Sequence, residues 1–132
     1  MNDSALFCIA GVALVGTAIV SIVITRRRHQ KEYREYLAPE LNRYGLQFVS
    51  ARYPGAFRVG PFPVVEPRAN RHLRTNIGSF VEFREVRCID EAGHHFTVWA
   101  KLDFVFYMLQ QLSWRVEPGE SFPDSARGLL EN

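Results

Sequence analysis

Residues 79–106 read SFVEFREVRCIDEAGHHFTVWAKLDFVF, and this stretch decides the fold. In its second half Phe96, Val98, Ala100, Leu102, Phe104 and Phe106 alternate with His95, Thr97, Lys101 and Asp103. A repeat of two is the side-chain period of a half-buried strand. Before it, Asp90-Glu91-Ala92-Gly93 has the chemistry of a type I turn closed by a left-handed glycine. Such a turn sets Asp90 opposite His94, Cys88 opposite Phe96 and Val86 opposite Val98. Carried on without a break, this register turns Arg84 and Glu82 into the core at a steep desolvation cost. A bulge near Arg84–Glu85 is therefore expected, bringing Phe83 and Val81 inward and leaving Glu85 exposed.

Outward from the hairpin, Leu112, Trp114 and Val116 alternate with Ser113, Arg115 and Glu117 as one more strand. Upstream, Leu46 to Arg52 reads as a first strand, with Leu46, Phe48 and Ser50 on one face. Between Tyr53 and Pro67 prolines and glycines punctuate the chain, which predicts an irregular segment or an edge strand. Its Phe57, Phe62, Val64 and Val65 are apolar enough to rest on the domain. His29 to Tyr44 predicts a juxtamembrane helix, broken or restarted at Pro39 and stopped by Gly45. The sum is an α+β domain, a helix on an antiparallel sheet of roughly four strands.

The N-terminal end is of another kind. From Ala5 to Thr25 no side chain ionises except the thiol of Cys8. These about 21 residues make a helix of roughly 31 Å, matching a hydrocarbon core of about 30 Å. A cleaved signal peptide fits poorly, since Met1 to Ser4 is not basic and the apolar run continues through Ile19 to Ile24 past any small-residue cleavage site. Arg26, Arg27 and Arg28 crowd the far flank. The positive-inside bias then places the N-terminus outside and the domain in the cytoplasm of a cell-membrane protein. The chain accordingly divides into an anchor with its basic stop (1–28), a juxtamembrane helix (29–45), an α+β domain (46–118) and a C-terminal tail (119–132).

Composition bounds the function. A formal net charge of +2 over 132 residues is far from the dense basic face that phosphate backbones require, so no nucleic-acid partner is expected. Cys8 and Cys88 are read as free thiols, in keeping with a reducing compartment. Neighbouring residues of a strand point to opposite faces, so His94-His95 does not chelate one ion. Cys88 with His95 invites a nucleophile–base pairing, but the register separates them onto opposite faces. Asp90 and Glu91 sit at a turn tip, where Asp serves backbone hydrogen bonding. No phosphate-cradling loop or nucleophile elbow is present, and no cofactor is expected.

Three groups remain as candidate contacts. Ala13, Thr17 and Ser21 recur at i+4 and form a small-residue face for another transmembrane helix. Trp99 falls on the outer side of its strand as a candidate partner contact. Arg68, Arg71 and Arg74 offer charge to an anionic lipid or partner. The leading expectation is a non-catalytic, membrane-anchored accessory protein with the lipid bilayer and a larger membrane complex as partners. The alternatives are a membrane-tethered enzyme built on Cys88, His94 and Asp90, and a lipid or small-ligand sensor.

Overall fold

The computed structural model describes residues 3–55, 58–63 and 78–131. The chain divides into two compact units, Met1–Lys31 and Glu32–Asn132. The first unit is one helix, α1, Asp3–Gln30, of 28 residues. Its apolar side chains from Leu6 to Ile24 are exposed, and the helix is long and apolar enough to cross a membrane. Apolar residues surround the axis, with no polar stripe of the kind that lets a surface helix face water. The Thr17 hydroxyl donates to the Ala13 carbonyl at 2.8 Å, so this hydroxyl of the small-residue face is satisfied within the helix.

The second unit is α+β. Helix α2, Arg34–Arg43, precedes four strands, β1 Gln47–Arg52, β2 Ser79–Ile89, β3 His95–Val105 and β4 Met108–Arg115, and a 3-10 helix, Asp124–Glu131. The strands form an antiparallel meander in the order β1-β2-β3-β4. Leu37 and Leu41, spaced four apart on one side of α2, are buried together with Tyr33 just before it and with Val86, Val98, Leu102, Phe104 and Trp114 from the sheet. Complete burial of a leucine contributes about 1.5–3 kcal/mol, so Leu37 and Leu41 hold α2 in place.

The helix break falls elsewhere than the sequence predicts. The chain interrupts its helical path before α2, at Tyr33, whose φ of 55° is left-handed, while Pro39 lies inside α2. Burial of the Tyr33 ring against Phe104, 5.4 Å between centroids, offsets that backbone cost. The carbonyl of Tyr33 accepts from the N–H groups of Tyr36 and Leu37, both at 3.0 Å, and starts the helix. Its end is as expected. Gly45 has φ +75°, its N–H donates to Asn42 O at 3.2 Å, and Leu46 N–H reaches back to Leu41 O at 3.0 Å. These two bonds satisfy the last carbonyls in a Schellman arrangement.

The β2–β3 pairing matches the predicted register at Cys88↔Phe96 and Val86↔Val98, but the predicted bulge is absent. The ladder runs unbroken to Ser79, so Arg84 and Glu82 face the core, and Val81 and Phe83 face outward. Irregularities occur instead in β1 between Phe48 and Ser50, and against β4 between Asp103 and Phe104. The first turns Ser50 out opposite Arg87 and brings Ala51 inward opposite Val86, correcting the face assigned to Ser50. Phe106 also departs from expectation, because β3 stops at Val105 and Phe106 lies in an exposed turn. The C-terminal stretch is no loose tail. Its 3-10 helix buries Ala126 and Leu129 in the same core.

Candidate functional site

The inward charges are held by several contacts at once. Arg84 is 0% exposed and Glu82 6%. One guanidinium nitrogen of Arg84 donates to Glu82 Oε2 at 3.0 Å and to the Phe83 carbonyl at 2.7 Å. The guanidinium also lies 4.9 Å from the Tyr33 ring centroid and 5.5 Å from that of Tyr53. An arginine tolerates such a place because its planar fork can hydrogen-bond in plane while stacking on aromatic faces.

The residues of the enzyme alternative are each engaged structurally. The Cys88 thiol is buried, with Sγ 3.7 Å from the Phe96 carbonyl. Burial, and then the nearby Asp90 carboxylate, push it up to about 11, away from the thiolate a nucleophile needs. Asp90 Oδ1 accepts the His94 N–H at 2.8 Å and closes the turn. That backbone bond is the main reason its carboxyl titrates below the ordinary range. The His94 ring lies 3.2 Å from the other Asp90 oxygen at an exposed position. Cys88 and His95 occupy opposite faces, as their register requires.

The outer face of the sheet is partly roofed by residues 58–63. Trp99 does point outward, yet it is buried beneath Gly60 rather than open to a partner. A Cβ on Gly60 would stand 2.3 Å from the indole, and Gly60 has φ +61°, so only glycine lets the chain pass this close. Phe62, buried as the sequence predicts, lies 5.7 Å from Phe83 and covers that outward ring. Beside this roof a cleft of about 600 Å³ is lined by Arg58, Thr97, Trp99 and the carboxylates Glu85, Glu117 and Glu120. Glu85 is half-buried rather than exposed, and both its oxygens accept from Arg52, at 2.9 and 2.8 Å.

Sequence reasoning missed the β3–β4 turn. Val105 pairs with Met108 across it, and its central residues Phe106 and Tyr107 have φ 48° and 64°. Two consecutive positive φ values define a type I′ turn, the usual place of Asn-Gly. Holding bulky residues there costs of the order of 1–3 kcal/mol each. The available signal was the run Phe106-Tyr107-Met108, where three large side chains in succession break the period of two.

Of the other candidates, Ala13, Thr17 and Ser21 are exposed on α1. Arg26, Arg27 and Arg28 form its C-terminal end together with His29 and Gln30. Arg68, Arg71, Arg74, Phe57, Val64 and Val65 lie outside the described residues. No group of three or more His, Cys, Asp or Glu residues suited to a metal ion occurs among the described residues. No protein-family model, curated protein or solved structure matches the chain.

Proposed function

We propose that this chain is a single-pass cell-membrane protein whose folded unit is a non-catalytic accessory module on the cytoplasmic side, serving a larger membrane complex. Helix α1 carries the reading. Its exposed apolar residues run from Leu6 to Ile24 without a charge, and water is a poor solvent for such a surface. The cluster Arg26 to Arg28 supports an outside N-terminus and a cytoplasmic domain. The structural employment of Cys88, Asp90 and His94 favours an interaction module over an enzyme built on them.

Cysteine labelling of intact cells tests the topology. With Cys8 and Cys88 replaced, an impermeant reagent is expected to modify Asn2→Cys and to miss Glu91→Cys. The opposite pattern reverses the orientation. Purification in mild detergent is expected to yield the chain with a membrane partner in stoichiometric amount; a chain that emerges alone overturns the accessory role.

A small-ligand sensor is the second reading, favoured by the cleft beside Trp99. Glu117 and Glu120, beside a Glu85 already paired with Arg52, suit a small cationic ligand by charge. Titration with choline or spermidine, followed by tryptophan fluorescence, decides it.

A further inference from the structure

We propose that the β3–β4 turn, Phe106-Tyr107-Met108, is a second membrane contact that seats in the headgroup region of the bilayer crossed by α1. The inference rests on the reading of α1 as a membrane anchor. The three side chains are 66%, 83% and 62% exposed, the largest consecutive apolar exposure among the described residues of the second unit. Phe106 and Tyr107 occupy left-handed backbone positions that favour glycine and asparagine, so the turn chemistry does not account for them. The other hairpin of the same sheet is an internal control. Its turn, Asp90 to Gly93, is polar and supplies glycine at φ +86° where a positive φ is needed. The two turns lie at opposite ends of β3, one polar and one aromatic.

The aromatic turn is at the end of the domain where the chain arrives from α1. Tyr33, which begins the second unit's helix, lies 5.4 Å from Phe104, and Tyr36 lies 5.8 Å from it. Phe80 stacks on Phe104 at 4.9 Å and meets the Tyr107 ring edge-on at 5.5 Å. A continuous row of rings therefore joins the arriving chain to the exposed turn. From Thr25, the last residue of the apolar run, to Tyr33 is about eight residues, at most roughly 29 Å when fully extended. A tether of this length leaves this end of the domain within reach of the bilayer surface. Tyr107 suits that region, where one end of a side chain is apolar and the other wet, and Phe106 and Met108 add purely apolar contact. The turn then offers to lipid the apolar surface it does not bury in the domain.

The test uses the full chain reconstituted in vesicles of phosphatidylcholine and phosphatidylglycerol, with Cys8→Ser and Cys88→Ala. An environment-sensitive fluorophore is placed on Tyr107→Cys, on Glu91→Cys at the polar turn, or on Leu14→Cys within α1. Lipids bearing a nitroxide at shallow or deep positions then report contact and depth. The expected result is deep quenching at position 14, shallow quenching at 107 and none at 91. Deep quenching at 14 with none at 107 overturns the second contact and leaves the anchor standing. No quenching at 14 removes the anchor and this inference with it. A probe at 107 that is shielded from aqueous iodide yet unquenched by lipid nitroxides indicates a protein contact and also overturns the proposal. The double change Phe106→Asn with Tyr107→Gly matches the turn type, so loss of folding does not confound it. Its thermal midpoint is expected to be unchanged or higher, while quenching at Met108→Cys falls to the level of position 91. Quenching that persists at 108 in this variant overturns the role of the two aromatic side chains.

Discussion

The ring of Tyr33 lies 4.9 Å from the guanidinium of Arg84, so the residue that opens the folded unit also covers a charge buried in its sheet. Both are buried, and Glu82 completes the group from two positions away on the same strand. The start of α2 and the interior of the sheet are therefore one packing problem. A change at either is expected to be felt at the other.

Removing one member of the buried pair should be severe. Glu82→Ala or Arg84→Ala leaves an uncompensated charge inside, a loss of about 3–5 kcal/mol. The double variant Glu82→Leu with Arg84→Met should lose clearly less than the sum of the two single changes, because apolar side chains of similar size need no partner. Urea unfolding of the detergent-solubilised chain, followed by circular dichroism, measures all three. Additive losses would show the pair to be uncoupled.

Cys88 should be inert in the folded state. With Cys8→Ser as background, an aromatic disulfide reagent is expected to react slowly at neutral pH and rapidly once urea opens the core. The thiol is raised from about 9 to about 11. Its neutral form is favoured in the folded chain, so this stabilising contribution is complete below about 9 and declines as pH rises towards 11. Rapid native-state labelling at pH 7 would show that the thiol is accessible and revive the nucleophile.

The Asp90 turn predicts the acid limb of stability. Its carboxyl is lowered by the His94 N–H, so the folded state favours the ionised form. That contribution is present above the ordinary carboxylate value of about 4 and is lost as pH falls through the lower folded value. Asp90→Ala should lose stability at pH 7, with a smaller difference from wild type near pH 2. Chemical unfolding at the two pH values checks it. His94→Ala, which keeps the backbone donor, should cost less.

Gly60 should resist replacement. Gly60→Ala forces a methyl group into the Trp99 indole and strains a positive φ, so residues 58–63 must lift from the sheet. Trp99 emission is expected to shift to the red and acrylamide quenching to rise. Trp114→Phe isolates the signal, and it removes a buried indole N–H that has no hydrogen-bond partner among the described residues. Unchanged emission would mean that the roof accommodates the methyl group.

The β2–β3 register was legible because a polar turn ending in glycine and an alternating strand specify the same pairing from local information. The long apolar helix was legible for a similar reason: an uncharged run of that length needs no distant partner to be read. Of the candidate contacts, the position of Trp99 on the outer face was readable, whereas its burial was not. The cover comes from Gly60, nearly forty positions earlier, and glycine advertises only that something passes close. Phe106-Tyr107 lacks the residues that usually permit a type I′ turn, so the broken period of two was its one sign.

Local patterning by itself determined the apolar span, the helix ending at Gly45, the central hairpin and the burial of Cys88. Each follows from a short-range period or from the conformational freedom of one residue. Tertiary structure alone decided that Arg84 and Glu82 face inward, that the helical path turns at Tyr33 instead of Pro39, and that the final residues close the core. Desolvation makes an inward arginine forbidding when only its neighbours are considered. Glu82, Tyr33 and Tyr53 reverse that balance, and two of those three reach Arg84 only once the chain has folded.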